Sequence, residues 1–320
     1  MNKMEGRYRG CLLGLACGDA VGTTVEFKPR GTFTPVTDMV GGGPFRLEPG
    51  QWTDDTSMAL CLAESLLEKE GFDPDDQMAR YVRWWREGHL SSTGECFDIG
   101  NTVAGALERY RRTGEPYSGS TDPYSAGNGS IMRLAPVPMY YAEDLERTAR
   151  FAAASSRTTH GTAEAVDACC LFGVMIALAL RGEEKETLLL EARSRVPSLG
   201  ELAPAIASIA SGRYMQKERW EISGSGYVVE SLEAALWCFW RTEGYRATVL
   251  RAANLGNDAD TTAAVCGQLA GAYYGVEDIP QAWLEQLAMR ELIEGMAAAV
   301  YEKREEGSVN GARTGRRGGV

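Results

Sequence analysis

Two short acidic runs hold the residues of this chain whose types and spacing are suited to chemistry. The first is Gln51-Trp-Thr-Asp-Asp-Thr56 and the second is Asn254-Leu-Gly-Asn-Asp-Ala-Asp-Thr-Thr262. Each sets two Asp beside a Thr just ahead of a segment with helical spacing of apolar residues. Two readings are open. Asp and Thr accept the orphan N–H groups of a helix start and complement its dipole, so capping accounts for either run alone. Against this, adjacent Asp54 and Asp55 exceed what one cap needs and repel each other, and the same Asp/Asp/Thr pattern returns at Asp258, Asp260 and Thr261. If the two helix ends meet, Thr53, Asp54, Asp55, Asp258, Asp260 and Thr261 make an all-oxygen cage. Neither run contains Cys or His, and hard oxygen ligands favour Mg²⁺ or Mn²⁺ over zinc. The four Asp carry charge enough for two divalent ions. Such a pair can polarise a substrate oxygen and activate a water.

The elements that must position these runs are helices. Apolar residues near i, i+3, i+4 spacing, bounded by Gly, Pro, Asp or Ser, predict helices over Tyr8–Asp19, Thr56–Glu70, Gln77–Glu87, Asn101–Arg112, Leu145–Ser155, Thr162–Leu180, Lys185–Arg193, Tyr227–Arg241, Tyr245–Asn254, Thr261–Tyr274 and Gln281–Arg304. The sole strand signal is a weak one over Thr32–Val40. The fold class is therefore all-α. With no interior Pro/Ser-rich linker and no short-period repeat, residues 1–304 read as one compact domain. Residues 305–320, EEGSVNGARTGRRGGV, offer little to bury and read as a mobile tail. Gly10, Gly14, Gly18 and Gly22 fall every fourth residue. Each costs roughly 1 kcal/mol in a helix relative to Ala, so the stripe needs a reason. Close approach of a second helix is the simpler one, and direct ligand contact is the other.

Composition narrows the partners. The chain has 320 residues, 44% hydrophobic and 24% charged, which is ordinary for a globular protein. Its 33 basic and 44 acidic residues give a net charge of −11. That field repels nucleic-acid backbone and anionic membrane. An anionic substrate therefore requires local positive charge, such as bound metal ions or helix N-termini. Eight Cys occur without a C-x-x-C pair, mostly in apolar runs, and read as buried thiols in a reducing compartment. Two His exclude a His-rich zinc site. The polar start MNKMEGRYRG is unlike a signal peptide, and the apolar run Ala168–Leu180 is too short to span a bilayer, so it reads as a core helix. A cytoplasmic location is expected. Walker A, G-x-G-x-x-G and G-x-S-x-G sequences are absent, which disfavours a P-loop hydrolase, a Rossmann dehydrogenase or an α/β-hydrolase.

Seven segments in order resemble the ADP-ribosylglycohydrolases. They are Asp19-x-x-Gly22-x-x-x-Glu26, the Thr-Asp-Asp-Thr of residues 53–56, Phe97-Asp-Ile-Gly-Asn-Thr102, Gly127-Asn-Gly-Ser130, Thr159-His160, Gly226-Tyr227-Val228 and Gly256-Asn-Asp-Ala-Asp-Thr-Thr262. Order and spacing are most similar to the bacterial ADP-ribosyl-dinitrogenase-reductase glycohydrolase branch, and the resemblance spans Tyr8 to Tyr301. It implies an orthogonal helical bundle around a dinuclear metal centre, and hydrolysis of the bond joining ADP-ribose to a protein side chain, typically Arg. The metal ions would anchor the distal ribose and orient a water.

The same resemblance places Asp98 and Asn101 toward the substrate ribose, with Asp98 a candidate acid/base. Capping of the following helix explains Asn101 but not Asp98. Glu26 is the rival acid/base, and the choice between the two carboxyls stays open. Splitting a glycosidic bond needs support for an oxocarbenium-like centre and a directed water, which is work suited to carboxylates. Gly127, Asn128, Gly129 and Ser130 read either as a plain turn or as a run whose converging N–H groups cradle a phosphate. The resemblance assigns them to diphosphate and ribose, places His160 near the diphosphate, and leaves Tyr227 to stack on adenine or to serve as a core ring. His89 sits in no motif. The expected function is a metal-dependent hydrolase releasing ADP-ribose, most readily from ADP-ribosyl-arginine on protein. A non-catalytic ADP-ribose-binding protein and a hydrolase of a small ADP-ribosyl metabolite are the alternatives.

Overall fold

The computed structural model describes residues 2–314. Among the described residues fourteen α-helices follow one another: α1 Lys3–Gly22, α2 Asp54–Glu68, α3 Pro74–Glu87, α4 Asn101–Thr113, α5 Pro136–Tyr141, α6 Leu145–Arg157, α7 Ala163–Arg181, α8 Lys185–Leu190, α9 Pro204–Ala210, α10 Val228–Trp240, α11 Tyr245–Ala253, α12 Ala259–Tyr274, α13 Gln281–Gln286 and α14 Arg290–Thr314. Among the described residues the only β pairing is three isolated bridges. The chain is thus all-α, as expected, but Thr32–Val40 forms no strand. It is a loop whose Val36 exchanges backbone hydrogen bonds with the Asn254 amide, so a side chain takes the place of a neighbouring strand.

The glycine stripe explains the central helix pair. An added Cβ at Gly10, Gly14, Gly18 or Gly22 would stand 2.3, 2.5, 2.3 or 2.4 Å from the carbonyl oxygen of Gly271, Gly267, Ala263 or Ala259. The partner number falls by four as the stripe advances by four, so α1 and α12 run antiparallel with their backbones in contact. Of the two explanations for the stripe, helix packing holds. The geometry has a functional consequence: the C-terminal end of α1, carrying Asp19, meets the N-terminal end of α12, carrying Asp260.

Helix α7 is buried along nearly its whole length from Ala165 to Leu180. By length and composition it could cross a membrane, yet it is the core helix against which α6, α10 and α12 pack. The long C-terminal segment expected as one helix is two. It breaks at residues 287–289, where Gly50 O accepts from Ala288 N and Trp52 Nε1 donates to Ala288 O. Helix α14 then runs to Thr314, into the stretch expected as a tail; residues 315–320 lie outside the described residues.

Candidate active site and metal centre

Three helix ends converge. Asp19, fully buried on α1, accepts from Thr53 N at 2.9 Å, Thr56 N at 3.1 Å and Thr56 Oγ1 at 2.6 Å. It thereby caps α2 from another helix. Thr53 makes no capping bond of its own to α2, and Asp258 makes none to α12. Capping therefore does not account for either acidic run, and their carboxylates are left for something else.

That remainder is concentrated charge. Oxygens of Asp19, Asp55 and Asp260 lie within 4.8 Å of one another, and so do oxygens of Glu26, Asp98 and Asp260. Asp260 belongs to both triads. Thr53 Oγ1 lies 3.2 Å from Asp55 Oδ2 and 3.4 Å from Asp260 Oδ2, and Thr261 Oγ1 lies 3.3 Å from Asp55 Oδ2. Asp55 Oδ1 and Asp260 Oδ1 are buried without a hydrogen-bond partner. A buried carboxylate oxygen left bare costs free energy. Two such oxygens inside overlapping all-oxygen triads fit a divalent metal ion.

Glu26 and Asp98 reach the cluster from loops. Phe27 N donates to Asn257 O at 2.7 Å and Asn257 N to Lys28 O at 2.8 Å, which fastens the segment after α1 beside the start of α12. Asp98 adopts φ 60°, a left-handed conformation that Asp tolerates better than most residues. A pocket of about 350 Å³ opens over the cluster, with Glu26, Asp54, Asp98, Asp258, Asp260 and Thr261 in its wall. Gly127, Asn128, Gly129 and His160 also line it, together with exposed Phe27, Gly100 and Asn101. Among the described residues no Lys or Arg lines it.

The expected site residues are thus largely assembled in one place. Thr53 and Asp55 lie beneath the pocket, fully buried. Asn128 Nδ2 donates to Asp258 Oδ2 at 2.6 Å, tying the glycine loop to the acidic cluster. Two side chains sit apart. Ser130 Oγ accepts from Ser156 and Cys169 on the core side, and the half-exposed Tyr227 ring is outside the pocket wall, although its backbone bridges to Gly127. The amides of Gly127 and Asn128 are spent on Ser125 O and Gly226 O, leaving those of Gly129 and Ser130 as the loop's candidate anion donors. Asp19 carries no assigned role in the sequence reading, yet it organises the centre. Its signal was a lone acid in an apolar, glycine-rich helix.

The family model for ADP-ribosylglycohydrolase matches residues 1–309. The chain belongs to the ADP-ribosylglycohydrolase family. It is 46% identical to the ADP-ribosylarginine hydrolase Tri1 of Pseudomonas putida over 93% of its own length and 78% of that protein's. It is 44% identical to the protein of the same name from Serratia proteamaculans, over 92% and 79%. The ADP-ribosyl-[dinitrogen reductase] glycohydrolase of Rhodospirillum rubrum is 34% identical over 89% and 91%. A solved structure titled as an ADP-ribosylglycohydrolase-related protein complex superposes with a TM-score of 0.84 at 45% identity, covering 95% of this chain and all of that one.

The electrostatics of this glycohydrolase follow from the crowding. Burial and then Asp98 and Asp258 push the Glu26 pKa up to about 9. Burial and then Asp19 and Asp258 push Asp98 up to about 7. Asp19 is raised to about 6 by burial, against its four hydrogen bonds from Thr53 and Thr56. Asp54, Asp55 and Asp260 are raised well above the usual carboxylate range, by burial first and then chiefly by Asp98, Asp19 and Glu26 respectively. Without a cation, the cluster holds protons. A divalent ion held by these carboxylates would take the place of the protons and favour the ionised forms.

Proposed function

We propose that this glycohydrolase releases ADP-ribose from ADP-ribosyl-arginine on protein. The observation that carries the reading is the pair of carboxylate triads sharing Asp260 at the floor of a pocket whose charged lining is entirely acidic. A guanidinium leaving group is cationic, and such a wall attracts and orients it. Two of the bacterial relatives are named ADP-ribosylarginine hydrolases, which supports the same acceptor.

In this reading Thr53, Asp54, Asp55, Asp258, Asp260 and Thr261 hold two divalent ions, Mg²⁺ or Mn²⁺, with Asp19 bracing the first of them. When bound, such ions polarise a ribose oxygen and make a water nucleophilic near neutral pH. Asp98 and Glu26 are the acid/base candidates. One of them takes a proton from the water that adds to the anomeric carbon. The bond to the guanidine nitrogen breaks with its electron pair on nitrogen, and that nitrogen regains a proton. Asn101 meets the ribose. Gly127, Asn128, Gly129, Ser130 and His160 receive the diphosphate, and Tyr227 flanks the adenine. An acidic surface gives nucleic-acid backbone and anionic membrane no purchase. Eight unpaired cysteines, seven of them buried, suit a reducing cytoplasm.

A non-catalytic ADP-ribose-binding protein has no need of two triads of ionisable oxygens. A small-metabolite hydrolase remains the outcome to test against. Incubation with ADP-ribosyl-arginine, ADP-ribosyl-serine and O-acetyl-ADP-ribose, each with Mg²⁺, Mn²⁺ or chelator, decides. Metal-dependent release from arginine is expected to be fastest. Faster release from O-acetyl-ADP-ribose or serine would overturn the acceptor assignment, and no metal-dependent release at all would overturn the activity.

A further inference from the structure

An acidic pocket has to accept a diphosphate, yet among the described residues no Lys or Arg lines it. Positive charge is present one layer deeper. Arg133 is fully buried and has no carboxylate partner among its hydrogen bonds. Its Nη1 donates to Gly129 O at 2.7 Å, its Nη2 to Thr159 Oγ1 at 2.6 Å, and its guanidinium lies over the Tyr81 ring at 4.7 Å. Arg133 Nε is buried with no partner at all. A fully desolvated guanidinium without a counter-ion is costly, and a stable fold keeps one where an anion compensates it.

The same side chain sets a neighbouring ring. Thr159 Oγ1 accepts from Arg133 and lies 2.9 Å from His160 Nδ1. The one hydroxyl proton of Thr159 has Nδ1 as its acceptor, because Nδ1–H pointing at Oγ1 would leave that proton buried and unbonded. The proton of the His160 ring is then on Nε2. That edge faces the pocket between two glycines: a Cβ at Gly127 would lie 3.3 Å from Nε2, and one at Gly129 would lie 2.8 Å from Cε1. Burial and the Arg133 charge push the His160 pKa down to about 3, so the ring is neutral at physiological pH.

We propose that Arg133 is a positioning residue for the substrate diphosphate, acting through the Gly129 peptide and through Thr159 to hold His160 as an Nε2–H donor. The assignment rests on the pocket being an ADP-ribose site. Arg133 places positive charge behind the glycine loop, where it attracts a diphosphate without offering an exposed cation to the acidic cluster or repelling a cationic acceptor. The Ser130 N–H, polarised through the carbonyl of the same Gly129–Ser130 peptide, and the Nε2–H are the two outputs of one buried group.

The test uses the Mg²⁺-loaded protein with ¹⁵N-labelled histidine. Only two His are present, so His89→Gln assigns the spectrum. The expected wild-type pattern is a pyridine-like Nδ1 and a pyrrole-like Nε2 at His160. Thr159→Val keeps the Arg133 charge and breaks the relay. It is expected to mix the tautomers and weaken ADP-ribose binding about threefold to tenfold, whereas Thr159→Ser restores both. Arg133→Met is expected to weaken ADP-ribose binding by about tenfold to a hundredfold, with the loss in KM and Kd rather than in kcat. A wild-type Nδ1–H tautomer overturns the relay. Wild-type Kd and tautomer in Thr159→Val also overturn it, and that variant preserves volume, so the outcome stands even if Arg133→Met does not fold. A loss confined to the active fraction, with Kd unchanged, marks Arg133 as a packing residue only. If wild-type protein binds no ADP-ribose, the functional reading itself fails.

Discussion

Removing divalent metal should cost this protein stability in a way that grows with pH. The oxygens of Asp19, Asp55 and Asp260 lie within 4.8 Å of one another. At an effective dielectric constant of about 20, two unit charges at that separation repel by about 3 kcal/mol. Three ionised pairs would approach the whole stability of a typical domain, about 5–15 kcal/mol. The metal-free cluster escapes this by keeping protons. Asp19 is raised to about 6, Asp98 to about 7 and Glu26 to about 9, all above their unfolded values. In that window the folded state binds more protons than the unfolded one. The stability these groups contribute is therefore complete below about pH 4 and is lost as pH rises toward 9. Bound metal acts in the opposite sense, since it needs the carboxylates ionised.

The assay is a thermal melt from pH 5 to 8.5, with excess Mg²⁺ or Mn²⁺ or with chelator. The chelated Tm should fall across the range and the metal-loaded Tm should not, so the curves diverge. A hundredfold excess of metal over its Kd stabilises by about 2.7 kcal/mol, which is a gap of roughly 5 °C for a chain of this size. Asp260→Asn, which neutralises the carboxylate common to both triads, should narrow the gap from both sides. Coincident curves at pH 8, or a chelated Tm that climbs as pH rises through this window, would refute the reasoning.

Asp55→Ala and Asp258→Ala should each lower kcat/KM by orders of magnitude while circular dichroism stays near wild type and the metal-dependent gain in Tm shrinks, because both residues stand at helix ends rather than in the apolar core. Asp98→Asn should slow release from an arginine-linked peptide by about 10²-fold or more and change a serine-linked peptide less; an unchanged arginine rate would transfer the acid/base role to Glu26. Gly18→Val sets a Cβ where only 2.3 Å separates it from Ala263 O, and urea melts should register a loss of at least about 1–3 kcal/mol.

Much of the helical frame was legible because it is written in periodicity. The ranges expected for α2, α4, α6, α7, α10, α11 and α12 agree with the structure to within a few residues at their ends. The elements that were missed have physical reasons. Helices α5 and α9 are six and seven residues long and begin at Pro136 and Pro204, too short for a period to register. The break before α14 is made by Gly50 and Trp52, residues remote in sequence. At the site, both acidic runs and the glycine loop could be read from residue type. Three features could not. Capping by Asp19 is a contact between helices, the left-handed turn at Asp98 depends on its loop, and the use of the Gly127 and Asn128 amides by Ser125 and Gly226 is tertiary.

The glycine stripe joins the two levels. Four glycines weaken α1 as an isolated helix, and in return they let its backbone touch that of α12 over four turns. Any side chain there would part the helices and separate Asp19 from Asp260, whose oxygens must lie within one ion's reach. Helices at ordinary packing distance would leave these acids further apart, and the α1 face that lacks side chains is what brings them together. Local helix stability is given up along α1 so that carboxylates that repel one another stay close enough to share a cation. The unbonded Oδ1 atoms of Asp55 and Asp260 are the part of that arrangement which the protein alone does not compensate.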